Sequence, residues 1–419
     1  MLRFAILGFG NRGRLFAGFI LKDPNAELVA VVDNAESARK AAKELFGVAE
    51  KDIYSSADEF FAKGKIADAI FLCTQDADHY DMATKAMALG YDLCLEKPAA
   101  ITEEDCLAIR DEANRLGRKI MLTHVLRYAP FYRAIKAMID EGKLGDIVTI
   151  NQTENIAFWH FGLSYVRGPW RNMKESSPTI IAKCCHDLDI LCWLMGKKCD
   201  TVSSFGGLYY YRPEKAPKGS ATHCKDCDPA LKAKCVYNAY RVYPIAMQHR
   251  PVGGTASFYG KDVIEILDEK EHPISRCVFH AGNDAVDHQV VNMHFVDGTT
   301  AHLTMTAFSS ACTRTIKVHG TDGEVYGDLE EGILHYTRFG EKPETIDPSK
   351  LPLWNDAGIT LDDGHGGGDF YLYRDFVNYL TKDEPSPTRT TIDASIESHV
   401  IGFKAEESRL SGGKAIHID

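Results

Sequence analysis

Lys97, Lys183 and His186 are the residues of this chain best placed to do chemistry. Lys97 belongs to Leu95-Glu96-Lys97-Pro98, at the end of an apolar run that reads as a strand. It lies about ninety residues after Gly8-Phe9-Gly10-Asn11-Arg12-Gly13, a glycine spacing that cradles a dinucleotide when a strand precedes it and a helix follows. An ammonium at a strand end beside a dinucleotide faces substrate; the bland alternative is a solvated lysine. Lys183 and His186 fall in the run from Ser176 to Asp189. If that run is one helix, Lys183, His186 and Asp189 share a face, while Ile190, Leu191, Trp193 and Leu194 cover the buried side. Such a stripe on an apolar helix is costly unless it lines a polar cavity. The competing reading is a buried histidine satisfied by Asp189.

The elements that position Lys97 follow a βαβ rhythm. Arg3 to Leu7 reads as a strand, and Leu15, Phe16, Phe19 and Ile20 recur at helical spacing until Asp23-Pro24. Glu27 to Val32 is the next strand, stopping at Asp33, twenty residues after Gly13. Gly8 permits a tight turn, Gly10 lets the backbone approach a pyrophosphate, and Gly13 lets the helix pack close. The helix N-terminus offers amides and a positive dipole to the phosphates. A carboxylate at Asp33 accepts ribose hydroxyls and repels a 2′-phosphate, which favours NAD over NADP. Ala67 to Cys73, Tyr91 to Leu95 and Lys119 to Thr123 read as further strands, with a helix from Tyr80 to Leu89 and another begun by Thr102. Ligands bind beyond the carboxyl ends of such strands. Thr74, Gln75, His79, Glu96, Lys97 and Pro98 fall there, and they join Gly8, Gly10, Asn11, Arg12, Gly13 and Asp33 as the expected cofactor contacts.

Residues 1–124 make up this first domain, and 125–419 a second. Tyr128 to Glu141 reads as an amphipathic helix broken by Gly142-Lys143-Leu144-Gly145, and Asp146 onward as strand. Val290 to Val296 and Thr300 to Phe308 alternate around Asp297-Gly298, and Thr315 to His319 and Glu324 to Asp328 around Asp322-Gly323. These predict an antiparallel meander, whose open face left bare would be a large apolar patch. Gly364 to Asp369 reads as a loop with Asp369 capping the helix Phe370 to Leu380. The stretch from about 209 to 251 looks inserted, and carries His223-Cys224-Lys225-Asp226-Cys227 and then Cys235. Cys224, Cys227 and Cys235 could hold a structural zinc with His223 or a distant residue as fourth ligand; free thiols or a loop disulfide are the alternatives.

Bulk properties narrow the classes. The 419 residues suggest two domains. A net charge of −11 leaves no basic surplus for nucleic acid. No run approaches the roughly 18 apolar residues of a membrane helix. The N-terminus runs straight into a strand, so the twelve cysteines read as reduced thiols of a cytoplasmic protein.

Taken together, these residues resemble the Gfo/Idh/MocA family of oxidoreductases, named for glucose–fructose oxidoreductase and inositol dehydrogenase. The likeness rests on the Gly8 to Gly13 loop, Glu96-Lys97-Pro98, Arg127-Tyr128-Ala129-Pro130, the His186 region, Gly320-Thr321-Asp322-Gly323 and Ala405-Glu406-Glu407-Ser408-Arg409. It implies an α/β fold: an N-terminal Rossmann domain and a C-terminal α+β domain with a large, open, mainly antiparallel sheet. It implies homodimers or homotetramers and a small carbohydrate substrate, with Lys97 and His186 flanking that substrate beside the nicotinamide. Ala182 stands where many members carry an aspartate, which with Lys183 resembles a lysine-bearing subgroup. Trp159-His160 and Arg167 to Arg171 look specific to the subgroup, and Arg127, Tyr128, Trp170, Arg171 and Asp187 are expected at the substrate. The leading expectation is an NAD-dependent dehydrogenase of a sugar, polyol or glycoside hydroxyl. His186 would be the general base, Lys97 would stabilise the oxygen, and Lys183 would lower the pKa of His186 or hold a second hydroxyl. One alternative is a glycoside-cleaving enzyme that oxidises transiently with bound NAD. Another is a non-catalytic NAD-sensing regulator, which would not need all three residues.

Overall fold

The computed structural model describes residues 1–247, 263–269, 272–351 and 365–418. The end of the insertion, 248–251, and Gly364 lie outside them. The first sheet contains β1 (Leu2–Leu7), β2 (Ala26–Val32), β3 (Ile53–Tyr54), β4 (Ala69–Leu72), β5 (Asp92–Leu95) and β6 (Ile120–Leu122). Their order is β3-β2-β1-β4-β5-β6, and every pairing is parallel. Phe4 to Leu7 and Ala69 to Leu72 are buried without alternation, because helices cover both faces of the sheet. The glycine loop sits between β1 and α1 (Asn11–Lys22), where the strand order reverses.

Two late helices complete this domain. α2 (Gly368–Thr381) lays Leu372, Tyr373 and Phe376 into a cluster with Phe4, Phe16 and Phe71. The Phe16 and Phe71 rings stack at 4.7 Å. α3 (Ile392–Leu410) buries Ile392 and Ile396 against Leu93, Leu95 and Ile109 on the opposite face. Just before it, Thr390 accepts from Leu122 N at 2.8 Å. The core of the nucleotide domain is therefore not contiguous in sequence.

The second sheet comprises β7 (Ile147–Asn155), β8 (Cys199–Gly207), β9 (His288–Phe295), β10 (Thr300–Thr306), β11 (Thr313–Gly320), β12 (Gly323–Asp328), β13 (Ile333–Arg338), β14 (Glu344–Ile346) and β15 (Ile416–His417). The order is β14-β13-β12-β11-β7-β10-β9-β8-β15. The two expected hairpins are present, but they do not form one meander. β7 inserts between β10 and β11, and pairs with β10 in parallel. The open face also differs from expectation. Thr149, Asn151, Ser203, Asn292, His294, Thr300 and His302 look outward, so it is largely polar rather than a bare apolar patch. The expected helix from Tyr128 instead spans Pro130–Asp140, because Pro130 fixes the first turn and holds Ala129 extended. No helix among the described residues is long and apolar enough to cross a membrane.

If α2 and α3 are part of the nucleotide domain, residues 1–124 cannot fold alone. A fragment ending at 124 is expected to show no cooperative thermal transition by circular dichroism. A sharp transition would show that the late helices are dispensable.

Candidate active site

The glycine loop is shaped for a ligand that approaches its backbone. Gly8 has φ +87°, and a Cβ there would stand 2.4 Å from the Cys73 carbonyl oxygen. A Cβ on Gly13 would stand 2.1 Å from Gly8 O. Gly10 caps α1. Asn11 Oδ1 and Thr74 Oγ1 are buried beside the loop without a hydrogen-bond partner, as polar atoms are where a ligand completes them. At the end of β2, Asp33 accepts from Phe9 N at 2.7 Å and from Ala35 N at 2.8 Å. Arg39 donates to Asp33 O and Asn34 O at 2.8 Å, and Arg14 donates to Phe9 O at 3.1 Å. This cradle fits a dinucleotide.

Other residues expected at the cofactor have internal partners. Arg12 binds Glu96 Oε1 at 2.5 Å and Asp369 Oδ1 at 2.6 Å. Burial works against its charge, and the two carboxylates outweigh that and raise its pKa. Asp369 is therefore not a helix cap; Gly367 takes that position. His79 is fully buried, its Nδ1 2.8 Å from Pro98 O and its Nε2 3.3 Å from Thr74 O, so it ties two strand-end loops together. Gln75 is exposed.

Lys97 follows β5, and its amide donates to Thr123 Oγ1 at 3.1 Å. Its Nζ donates to Ala182 O at 2.8 Å, which carries the ammonium across to the second domain. His186 lies four residues beyond Ala182 in α4, the helix Cys185–Met195 (between β7 and β8 in the chain). It is 4% exposed, and its Nδ1 has no hydrogen-bond partner. Burial, then the charges of Lys97, His365 and His124, push its pKa well below the usual histidine value. The imidazole is therefore neutral at physiological pH and able to accept a proton.

The single helical stripe expected over Lys183, His186 and Asp189 does not form. One turn ends at Ala182, Cys184 has non-helical backbone angles, and α4 begins at Cys185. Lys183 sits in that break and pairs with Glu154 at 3.1 Å. It is not among the principal charges acting on His186. Asp189 instead binds Arg127 through two contacts of 2.7 and 2.6 Å. It also lies 2.9 Å from His124 Nδ1, within ion-pair range but outside hydrogen-bond geometry. Burial opposes its ionisation; Arg127 and His124 outweigh that and hold Asp189 at about 2.

The remaining expected substrate residues divide in the same way. Tyr128 is buried and donates to Asp375 at 2.8 Å. Asp187 is buried with Arg314 at 2.9 Å and Gln152 at 2.6 Å. Arg127, Tyr128 and Asp187 thus brace the site from behind. Trp170 faces the first domain, its Nε1 donating to Asp76 Oδ2 at 2.9 Å, and Arg171 lies partly exposed beside it. Burial pushes the Asp76 pKa up, against the pull of His79 and Lys97.

Sequence reasoning missed Asp76, His124, Glu154, Arg314, His365 and His399. Asp76 and His124 had a signal, since both follow strand ends of the first sheet. His399 had none: it lies in α3, yet its Nε2 accepts from Ala99 N at 3.0 Å and its ring stacks on His124 at 5.3 Å. His124, Cys185 and His399 offer ligand atoms within 4.8 Å of one another, but those of His399 and His124 already face Ala99 N and Asp189.

Both domains match models of one known protein family. The oxidoreductase family model GFO_IDH_MocA, with an NAD-binding Rossmann fold, matches residues 2–124. The C-terminal alpha/beta domain of the same family matches 136–412. The chain belongs to this NAD-binding oxidoreductase family. It is 26% identical over 207 residues to the 2,7-anhydro-N-acetylneuraminate hydratase of Escherichia coli, covering 49% of this chain and 54% of that one. It is 26% identical over 205 residues to the inositol 2-dehydrogenase of Rhizobium meliloti, covering 48% and 58%. The chain thus spans about half the length of these two relatives. An Agrobacterium radiobacter oxidoreductase, solved with NAD+, L-tartaric acid and magnesium, shares the fold with TM-score 0.70 and 16% identity, over 99% of this chain and 98% of that one.

Two outcomes follow from the cradle and the buried histidines. Asp33→Ala removes the carboxylate but leaves Arg14 and Arg39 beside the ribose position. Titration should show NAD binding weakened and NADP binding gained; tighter NADP than NAD binding by the unaltered protein would contradict the assignment. His399, pushed down to about 3 by burial and by His124, stays neutral while the unfolded chain protonates near pH 6.5. This group costs no stability above pH 6.5, and stability is lost progressively between 6.5 and 3, the loss amounting to about 2 kcal/mol at pH 5. His399→Gln should therefore narrow the difference in melting temperature between pH 7.5 and pH 5. An unchanged difference would remove His399 from the account.

Proposed function

We propose that this protein oxidises a hydroxyl of a sugar, polyol or glycoside with NAD. The observation that carries this reading is the neutral, buried His186 lying close enough to the Lys97 ammonium to feel its charge, at the strand ends beside the dinucleotide cradle. NAD held by the Gly8 to Gly13 loop, Asn11, Asp33 and Thr74 supplies the hydride acceptor. Lys97 gives one ammonium proton to Ala182 O and has two left for the substrate oxygen as charge develops on it. His186 takes the hydroxyl proton. The His365 ring lies 5.7 Å from that of His186, is partly exposed, and contacts Asp369 at 2.9 Å, which provides a route for the proton to solvent. Lys183, anchored on Glu154, is placed to hold a second hydroxyl. Trp170, pinned to Asp76, would cover the substrate on the side of the second domain.

A second reading uses the same groups for transient oxidation followed by elimination, and the hydratase relative favours it. Following NADH absorbance and aglycone release together separates the two, because only net oxidation accumulates NADH.

Lys97→Ala and His186→Ala should each lose on the order of 10²–10⁴ in turnover while keeping NAD affinity. The double variant should lose less than the product of the two. Lys183→Ala should raise KM and leave the acidic limb of the pH–rate profile in place, since its charge is met by Glu154. A Lys97→Ala enzyme of normal turnover on every oxidised substrate would defeat this mechanism.

A further inference from the structure

The insertion and a segment that follows it bring four cysteines to the lining of one small cavity of about 20 Å³. Cys224 to Asp226 is a single 3-10 turn, and Cys227 N donates to Cys224 O at 3.4 Å, which keeps the two ends of the C-x-x-C close. Cys235 directly follows the short helix Pro229–Lys234. The fourth cysteine, Cys277, lies far along the chain. An antiparallel bridge between His223 and Arg276 and a 2.8 Å bond from Cys277 N to Thr222 O carry it to the same cavity. All four thiols are free.

We propose that Cys224, Cys227, Cys235 and Cys277 form a four-thiolate metal centre, holding either a zinc ion or an iron–sulfur cluster, that clamps the insertion to the body of the second domain. Both occupants use four cysteine thiolates. No three of the sulfurs lie within 4.8 Å of one another among the described residues. That is wider than the roughly 3.8 Å edge of a zinc–sulfur tetrahedron built from ordinary bond lengths, so a bound ion would draw the thiols inward.

A buried cation supplies the independent argument. Arg167 is 2% exposed. It donates to Arg276 O at 2.6 Å, to Tyr237 O at 3.1 Å and to the Tyr243 hydroxyl, and it lies 3.6 Å from Cys224 Sγ. Among the described residues no carboxylate pairs with it. A buried guanidinium without a counter-charge is costly. Four thiolates around a divalent ion carry a net charge of −2 and supply that counter-charge where Arg167 meets Cys224. Metal binding by thiolates releases the thiol protons to solvent. The apolar cluster of the insertion is small, comprising Leu163, Ala239, Tyr243, Val263, Ile266, Leu267 and Ile274 together with Cys224, so a metal clamp has a structural task.

Metal and acid-labile sulfide analysis of the full chain, purified anaerobically without chelator, decides the matter. About one zinc per chain supports the single ion, and iron with matching sulfide supports the cluster. Less than about a tenth of an equivalent of both, well short of a filled site, overturns the proposal. Cys277→Ser should cut metal content at least tenfold, while Cys192→Ser, outside the cavity, should retain it. Full retention in Cys277→Ser would overturn the four-ligand set. If that variant does not fold, the metal content of the unaltered protein still gives the answer.

Discussion

The Arg12 guanidinium is the interaction on which the rest of the site depends. It lies between Glu96 and Asp369, so one side chain ties the glycine loop, the strand end bearing Lys97 and the start of α2. Both carboxylates are nearly inaccessible to water. A buried ionic group of this kind adds little net stability compared with well-packed apolar residues, but removing one partner strands the others. Its effect is to fix geometry. Lys97 can act on a substrate only if β5 ends where it does relative to the dinucleotide, and Arg12 holds that register from below.

The same device recurs around the cleft. Asp189 pairs with Arg127, and Asp187 and Glu154 share Arg314 and Lys183. The buried carboxylates are thus matched by cations that stay charged at physiological pH. His186 is kept neutral by burial and by the surrounding cations. The electrostatics thus divide the labour: cation–carboxylate pairs hold the scaffold, and His186 is left neutral beside Lys97.

The two domains meet through few but specific contacts at this cleft. Lys97 reaches Ala182, Trp170 reaches Asp76, and His399 receives the Ala99 amide. The first two join a strand-end loop of the first sheet to an element of the second domain, and the third joins such a loop to α3. Lys97 and Trp170 consequently help to set how the two domains are placed.

The amino-acid sequence alone determined the features whose physics is local. The glycine positions, the acid twenty residues later and the lysine at a strand end depend on backbone conformation and short-range periodicity, and the structure places them as their spacing implied. The two hairpins were legible for the same reason. Only the tertiary structure decided matters set by groups remote in sequence. Lys183 left its expected stripe because Cys184 breaks the helix and Glu154, on β7, captures the ammonium. Arg127, Tyr128 and Asp187 went to internal partners on elements far along the chain. α2 and α3 returned to close the nucleotide core, and β7 split the meander, because buried apolar faces and unpaired strand edges are satisfied by whichever element reaches them in space. Local spacing carries no information about that choice.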